Sequence, residues 1–500
     1  MKATKLILAV LLICPFAAQA QYKDRKSAEE APKTKAELLL EEAAQKPVVI
    51  TLEQALEIAL SENVAVKVAD LEIKRTQYAK KGAYAALYPQ IDLTASYQRT
   101  IKKQVMYMDI DMSSIMGGAM GGGAGSGDGA GEGTGEGTGS GSSSSGASMS
   151  DGLEVGRLNT LNGGVTAAMP IINAQLWKGL KISGLDVELA VEKARASRLD
   201  MVTQVKNAFF GTLFAKEAFN VYKEVYENAV KNFDETKKKF DAQKVSEFEL
   251  VRAKTTVANA IPNVYNAESS VVLALWQLKA VLGVDLDMNI DIAGKLEDWS
   301  QQMFYDIHQH DSISLDRNST MKQLAIQTEQ LAQNIKLQQY ANIPSLAVAF
   351  NFSMNTMAND VKFSEFRWTP YSYVGLSLNI PIFAGGKRYQ AIRQAKNQYE
   401  QVKLQVSNTE RQLKIAIRQS LNTMETNMKS YYAAQEAVGA AQKAYDIAEA
   451  AYKVGRSTLI ELNDAQLALT QSQLAQSQAV YNFLSAKSQL EQTLGQDFVK

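Results

Sequence analysis

Two carboxylates, Glu461 and Asp464, lie three positions apart in GRSTLIELNDAQ (residues 455–466), a stretch whose flanks are typical of helix. Residues three apart share one face of a helix, so the two side chains would lie close together. A general acid and a general base would need environments that separate their pKa values, and one helix face encloses no pocket. A solvated helix face, or a ring of charge around a pore built from several copies, are the alternatives.

A second group with chemical potential is FYDIHQHD, in which His308 and His310 have Asp306 and Asp311 nearby. These side chains can bind a metal ion, but no third ligand follows at a spacing that is typical of zinc sites. The segment is therefore interpreted as polar surface rather than as a metal centre. The sequence also lacks HExxH, GxSxG, GxGxxG and P-loop motifs. We expect neither an enzyme nor a bound cofactor.

The composition indicates a folded chain without excess charge. Hydrophobic residues make up 46% of the 500, and 53 basic side chains balance 53 acidic ones, so no nucleic-acid partner is expected. Residues 1–20 have a basic start, an apolar stretch and an Ala-Gln-Ala end, which predicts a cleaved signal peptide. The only cysteine, Cys14, follows the bulky Ile13, which disfavours lipidation.

The rest of the chain is an internal duplication. SENVAVKVADLEI matches DRNSTMKQLAIQT at a shift of 255, which pairs Asn63 with Asn318. Further along, FDAQKVSEFELVRAK (240–254) matches YKVGRSTLIELNDAQ (452–466) at a shift of 212. Self-similarity of this kind predicts that each half folds into the same set of elements.

An insertion distinguishes the first half from the second. GVTAAMPII matches GLSLNIPIF at a shift of only 211, so the first half holds about 44 additional residues, the difference between the two shifts. Residues 117–146 are a Gly/Ser-rich run that cannot bury apolar area, which predicts a flexible surface loop. A phosphate-binding loop is not favoured, because no Lys-Ser/Thr pair follows the glycines.

Strands are predicted beside four prolines, which are Pro89 and Pro170 in the first half and Pro344 and Pro381 in the second. Ile91, Leu93, Ala95 and Tyr97 alternate with polar residues, and the same period of two recurs at 346–352 and 374–380. The edge of a soluble sandwich would show this pattern too.

After the signal peptide no segment has about 18 consecutive apolar residues, so the chain can cross a membrane only with strands. An open sheet of four strands cannot lie in lipid and the smallest barrels have about eight strands, so several copies must combine.

Helices are predicted outside the strands, and they are long. No proline interrupts residues 175–239, and Tyr431, Tyr445 and Tyr452 recur at multiples of seven, the spacing of a helix–helix seam. Each half therefore contains one strand pair and one long helical hairpin, in a chain that is mainly α with a small transmembrane β part.

The predicted divisions follow from these patterns. A signal peptide (1–20) and a flexible polar tail (21–48) precede the first repeat, 49–283, and a polar connecting segment (284–315) precedes the second repeat, 316–500. The first repeat is predicted to contain helix 51–88, strands about 89–112 and 153–170, loop 113–152 and hairpin 173–283. The second is predicted to contain helix 316–342, strands about 344–356 and 369–381, and hairpin 386–495.

Several ordered motifs together carry a family resemblance. TLEQALEIALSEN, ALYPQIDLTASY, the MPII and IPIFAGG segments, and AYKVGRSTLIELNDAQLAL with a closing LEQTLG resemble the TolC-type outer-membrane efflux protein family, over nearly all of residues 49–495. The resemblance implies a homotrimer in outer-membrane lipid, with a twelve-stranded β-barrel continuous with a periplasmic α-helical barrel. It also implies a passive exit duct for an inner-membrane RND or ABC transporter, joined to it by a periplasmic adaptor (membrane fusion protein).

The same resemblance assigns roles to residues of the two hairpins. Glu461 and Asp464 would line the constriction at the periplasmic end. Tyr452 and Glu249 would tie the two hairpins of one chain together in the closed state.

The chain departs from the family pattern beside these positions. Ser457 stands where an arginine is expected in the latch, with Arg456 beside it and Arg252 on the other hairpin. Gln243 replaces the glycine expected opposite Gly455. The helix breaks at Gln243, Lys244, Gly455 and Arg456 would be the adaptor-docking tips. A secreted or surface trimeric coiled-coil scaffold or adhesin is the alternative function, and the transported substrate is not readable from the sequence.

Overall fold

The computed structural model describes residues 48–106, 153–304, 314–360 and 366–496. The predicted signal peptide 1–20, the tail up to residue 47, the loop 113–152 and the pair His308 and His310 lie outside these residues. Within them, no helix is both long and apolar enough to cross a bilayer.

The described residues are mainly helical, with short strands between the helices. The strands are β1 Val48–Ile50, β2 Gln90–Arg99, β3 Gln104–Met106, β4 Leu153–Val155, β5 Asn159–Ile172, β6 Ile290–Ile292, β7 Ser345–Ala358 and β8 Thr369–Asn379. The helices are α1 Leu52–Glu62, α2 Val64–Ala85, α3 Ala174–Asp241, α4 Glu247–Leu282, α5 Ser319–Tyr340, α6 Lys387–Lys453 and α7 Leu459–Leu494. A 3-10 helix spans Leu296–Phe304.

The residues fall into two compact units. The helical unit comprises the described residues of 1–81, 178–338 and 387–500, and the strand unit comprises those of 82–177 and 339–386. The main core of the helical unit contains Phe209, Leu278, Ile417 and Phe483, each at most 1% exposed. Burying one such side chain stabilises the fold by about 1.5 to 3 kcal/mol. The core therefore holds helices from both repeats together.

The two halves of the duplicated sequence make the same contact between an asparagine and the end of a hairpin helix. The Asn63 side-chain amide donates to the Val281 carbonyl at 2.7 Å, and the Asn318 amide donates to the Thr493 carbonyl at 2.6 Å. Val281 and Thr493 lie 212 positions apart, which is the shift between the hairpin sequences. Each asparagine thus satisfies a carbonyl in the last turn of a hairpin helix, where no partner exists within the helix.

A glycine ends the hairpin helix at each of these junctions. Gly283 and Gly495 have φ of 76° and 67°, in the left-handed region that suits glycine. A Cβ at Gly283 would come within 2.9 Å of the Asn63 Cα, and one at Gly495 would overlap the Arg317 carbonyl. Both the backbone angle and the space therefore require glycine here.

The strand unit contains a four-stranded antiparallel sheet in the order β2-β5-β7-β8. Ile91, Val165, Phe350 and Val374 belong to one face, on which apolar residues predominate. The opposite face carries amides, hydroxyls and small residues. Pairing shifts between Pro170 and Ile172, because proline has no N–H to donate to the ladder.

Several element bounds differ from the prediction. The single helix expected over 51–88 is two helices, because Asn63 adopts an extended conformation (ψ 131°) and its side chain accepts from the Ala65 N–H. The strand expected over about 89–112 is interrupted after Arg99, and the tail expected to reach residue 48 ends earlier, because Val48 pairs with Ile290 in a parallel ladder. The connecting segment 284–315 contains β6 and the 3-10 helix.

Candidate functional site at the hairpin tips

The two hairpin tips have the same backbone fold. At the first tip Gln243 has φ of 56°, and at the second tip Gly455 has φ of 77°. The Lys244 N–H donates to the Lys239 carbonyl at 2.8 Å, just as the Arg456 N–H donates to the Ala451 carbonyl at 2.8 Å. This is the Schellman arrangement, which ends a helix with one left-handed residue. Gln243 is the only residue other than glycine with positive φ in the described part of the chain.

The second tip begins its outgoing helix with a complete capping box. The Thr458 hydroxyl accepts from the Glu461 N–H at 3.3 Å, and the Glu461 carboxylate accepts from the Thr458 N–H at 2.9 Å. The Ser457 hydroxyl donates to the same carboxylate at 2.5 Å. Ser457, which stands where the resemblance leads us to expect a latch arginine, therefore binds the Glu461 carboxylate of its own chain.

The first tip has only half of this cap. The Ser246 hydroxyl accepts from the Glu249 N–H at 3.4 Å. Among the hydrogen bonds of the described residues, none returns from the Glu249 carboxylate to the backbone of Ser246. Glu249 is half-buried, whereas its repeat equivalent Glu461 is exposed.

The two candidate carboxylates differ in their surroundings. Hydrogen bonds from the Ser457 hydroxyl and the Thr458 N–H lower the pKa of Glu461 below its ordinary value. Asp464 lies one turn further along α7 and is also exposed. A cavity of about 640 Å³ in the helical unit is lined by other residues, including Phe210 and Trp299. Neither carboxylate therefore has the enclosed apolar setting that acid/base catalysis requires.

The partner of Tyr452 differs from the one that the resemblance implied. The Tyr452 hydroxyl lies 2.5 Å from Thr236 Oγ1, whose own hydrogen goes to the Asn232 carbonyl at 2.7 Å. Tyr452 is therefore the donor, and the expected hydrogen bond to Glu249 is replaced by one to α3. The residue is 3% exposed, and burial raises its pKa, to which the nearby negative charge of Glu249 adds. In this structure the Tyr452 hydroxyl binds Thr236, near the end of α3, and a tie between Tyr452 and Glu249 in the closed state stays a prediction.

Lys239 provides a second tie between α3 and α6. Its ammonium donates to the Tyr452 carbonyl at 2.6 Å and lies 4.3 Å from the centre of the Tyr452 ring. That carbonyl is in the last turn of α6, where a cation is favoured by the helix dipole. Glu449 adds an ion pair, because it binds Lys231 of α3 at 3.2 Å and Lys453 of its own helix at 2.8 Å.

Sequence reasoning missed Thr236, Lys239 and Glu449. A signal was present for Lys239, since Lys237, Lys238 and Lys239 end a long helix, where lysines commonly bind the last carbonyls. It did not reveal that the carbonyl belongs to another helix. No comparable signal was present for Thr236, because a lone threonine on a helix has many possible partners.

The remaining candidates lie at the surface of the tips. Lys244 and Arg456 are exposed at equivalent positions and make no ion pair within the described residues. Arg252 is half-buried on α4. Its neighbour one turn on, Thr256, accepts from the Asn463 amide at 3.3 Å, which links α4 to α7. The structure thus brings Tyr452 to α3 and links α4 to α7 through Thr256 and Asn463.

Comparison with protein families identifies the chain. The family model of the outer membrane efflux protein matches residues 136–284 and 312–496, one match in each repeat. The chain belongs to the outer membrane efflux protein family. It is an outer-membrane efflux channel, located in the outer membrane of a Gram-negative bacterium and extending into the periplasm, and its family is one of channels rather than enzymes.

Individual relatives agree with this assignment. Outer membrane protein TolC of Escherichia coli is 21% identical over 355 residues, which cover 67% of this chain and 71% of that protein. The Campylobacter jejuni CmeC outer membrane channel has a TM-score of 0.65 at 18% identity, covering 89% of this chain and 85% of CmeC. The Neisseria gonorrhoeae MtrE outer membrane channel, in its open state, has a TM-score of 0.64 at 16% identity, covering 89% and 88%. The predicted protomer fold, two strand pairs and two long helical hairpins, is confirmed.

Proposed function

We propose that this chain works as a homotrimer and forms the passive exit duct of a tripartite efflux system. A periplasmic adaptor would join it to an inner-membrane transporter of the RND or ABC type, and the duct itself would catalyse no reaction. The observation that carries the proposal is the four-stranded sheet, which has one apolar face, one polar face and two edges that pair with no other strand of the described residues.

The sheet explains why copies must associate. Strands β2 and β8 are its edges, and with three antiparallel pairings between them they run in opposite directions. The β8 edge of one copy can therefore pair in antiparallel fashion with the β2 edge of the next. In lipid each unpaired N–H or C=O costs several kcal/mol, so an open sheet is excluded and a closed barrel is favoured. Three copies supply twelve strands, with the apolar face outward and the polar face toward the lumen.

Glu461 and Asp464 are proposed to line the constriction at the periplasmic end. Three copies would bring about six carboxylates around one axis, where their mutual repulsion opposes closure and the negative ring attracts cations. The hydrogen bonds from Ser457 and Thr458 fix one carboxylate of each pair at the tip. They also keep it ionised, because they lower its pKa.

The ties from α3 to Tyr452 are proposed to be the latch between the hairpins of one chain. Thr236 and Lys239 lie at the end of α3, and Tyr452 lies in the last turn of α6. Opening the periplasmic end requires the hairpins to separate, so these contacts would have to break. Arg252 and Ser457 would then contribute to the tips without belonging to the latch itself.

The exposed backbone turns are proposed to dock the adaptor. Gln243 with Lys244, and Gly455 with Arg456, present two equivalent turns that each carry one exposed cation. An adaptor that engages both turns would contact both repeats of one chain. Crosslinking from Arg456, followed by mass spectrometry of the co-purified protein, tests this contact.

Purification and bilayer recording test the proposed function as a whole. The protein should require detergent, migrate as a trimer and form long-lived channels in planar bilayers. A monodisperse protein that is soluble without detergent and forms no channel would instead support the scaffold or adhesin alternative.

A double substitution tests the constriction. Glu461→Ala combined with Asp464→Ala should reduce block of the channel by trivalent cations, because the negative ring is lost. Glu247→Ala is the control, since it removes an exposed carboxylate from the first tip instead. Unchanged block in the double variant, measured by single-channel recording, would reject the role of the pair.

A further inference from the structure

The polar face of the four-stranded sheet consists of cross-strand rows. One row is Asp92–Thr166–Asn351–Tyr373, as the pairing of the strands defines it. The next rows along the strands are Thr94–Gly164–Ser353–Tyr371 and Ser96–Asn162–Asn355–Thr369. The face is thus covered by hydroxyls, amides and two tyrosines.

Asp92 is the only charged residue on this face. Strands β5, β7 and β8 contain no Asp, Glu, Lys or Arg, and β2 contains only Asp92 and Arg99. Side chains alternate between faces along a strand, so Arg99, seven positions from Asp92, belongs to the opposite face. Asp92 is exposed and has no hydrogen-bond or ion-pair partner among the described residues. Its charge is therefore not neutralised within the sheet.

The neighbours of Asp92 leave its carboxylate open to solvent. Thr166 lies directly across on β5, and Asn351 and Tyr373 continue the row. The Tyr373 ring leans along its own strand over Gly375, because a Cβ built on Gly375 would lie 3.7 Å from this ring. The centres of the Tyr373 and Tyr371 rings are 5.7 Å apart. No basic residue stands in this row or in the two beyond it.

We propose that Asp92 sets the charge selectivity of the membrane-spanning part of the duct and makes it prefer cations. Three symmetry-related carboxylates at one level of the lumen raise the local concentration of cations and repel anions. The other lumen-facing groups are uncharged, so no fixed positive charge of the sheet opposes them. Cationic compounds are the substrate class that this field favours.

The effect should depend on ionic strength. Screening acts over about 8 Å at 0.15 M salt and over about 30 Å at 0.01 M. In a wide lumen the field of Asp92 reaches the axis only when salt is low. The cation preference should therefore be largest in dilute KCl and decline as the salt concentration rises.

The inference rests on the proposed trimeric duct, and a series at one position tests it. Reversal potentials are measured in a KCl gradient at low salt, with Glu461→Gln and Asp464→Asn present throughout so that the tip carboxylates do not contribute. In that background Asp92 should give a K⁺ preference, Asp92→Glu should retain it, Asp92→Asn should lose it and Asp92→Lys should reverse it. Arg99→Gln, which removes a charge from the opposite face, is the control and should change nothing.

The outcomes separate this inference from the proposed function. Absence of channels with any variant, the wild type included, contradicts the trimeric duct. Normal channels whose reversal potential is the same for Asp92, Asp92→Asn and Asp92→Glu overturn the role of Asp92 and leave the duct intact. If Asp92→Lys does not assemble, the Asn and Glu variants still decide, because Asn matches Asp in size and Glu is only one methylene longer.

Discussion

The two hairpin tips share a backbone but differ in chemistry. The second tip has glycine at its left-handed position and a closed capping box around Glu461, whereas the first tip has Gln243 and an open cap at Ser246. A residue other than glycine in the left-handed region costs roughly 1 kcal/mol. The two tips of the duplicated chain therefore share the same turn geometry, but the second tip has more local stabilising interactions than the first.

The helices that lead into the tips differ in the same way. Lys239 of α3 binds the end of α6, but the residue 212 positions later is Ala451, which has no group to return the contact. Thr236 likewise corresponds to Ala448. The second hairpin therefore does not repeat this tie, in which the Lys239 ammonium donates to the Tyr452 carbonyl and the Thr236 hydroxyl accepts from the Tyr452 hydroxyl.

The largest expected effect comes from breaking this tie. Lys239→Met keeps the length of the side chain but removes a hydrogen bond from a charged donor, which is worth about 1.5 to 3 kcal/mol. The closed state should lose that stability and the channel should open more often in planar bilayers. Lys238→Met is the matched control, since Lys238 is exposed on the same turn. Equal opening in both variants would mean that Lys239 is not part of the latch.

Removing the two helix caps compares the tips directly. Thr458→Ala should cost about 1 kcal/mol and Ser246→Ala less, because N-cap bonds are worth about 0.5 to 2 kcal/mol and only the second box is closed. Hydrogen–deuterium exchange of the peptides 455–466 and 243–254 measures each loss locally. A larger loss at the first tip would contradict the comparison.

Exchanging the left-handed residues should move stability from one tip to the other. Gly455→Gln should destabilise the folded protein and Gln243→Gly should stabilise it, each by roughly 1 kcal/mol or less. The only effect expected is the cost of having a side chain at a left-handed backbone angle. A Cβ at Gly455 would meet no atom within 4 Å, so no clash adds to the cost. Thermal unfolding in detergent checks both signs, and a destabilised Gln243→Gly protein would show that Gln243 has a contact that offsets its strain.

Acidification should weaken the second tip. The pKa of Glu461 is lowered by its hydrogen bonds, so its contribution is present above the unfolded-state pKa and is lost as pH falls through the lower folded-state pKa. Among the hydrogen bonds of the described residues, none joins the Glu249 carboxylate to its cap, so peptide 243–254 is the comparison. Amide exchange of peptide 455–466, corrected for the intrinsic effect of pH, measures the difference. In Glu461→Gln the pH dependence should vanish; if it persists, another group is responsible.

The sequence predicted the repeated elements well because the relevant information is local and duplicated. Alignment of Asn63 with Asn318 predicted that the two halves repeat the same elements, and the Gln243/Gly455 pair identified both turns. The partner of Tyr452 was beyond this kind of reasoning. Which side chain reaches it depends on how α3 and α6 are rotated against each other, and that rotation is set by packing along many turns rather than by any residue near the tip.

The glycines at the two junctions, Gly283 and Gly495, limit the substitutions that the sequence can tolerate during evolution. Gln243 is exposed and has a side chain at a left-handed backbone angle. A Cβ at Gly283 would meet the backbone of Asn63, and one at Gly495 would meet the backbone of Arg317. Any substitution at either position must therefore move the neighbouring main chain as well as place a side chain at a left-handed backbone angle. We expect descendants of this chain to vary freely at the first tip while these two positions stay unchanged.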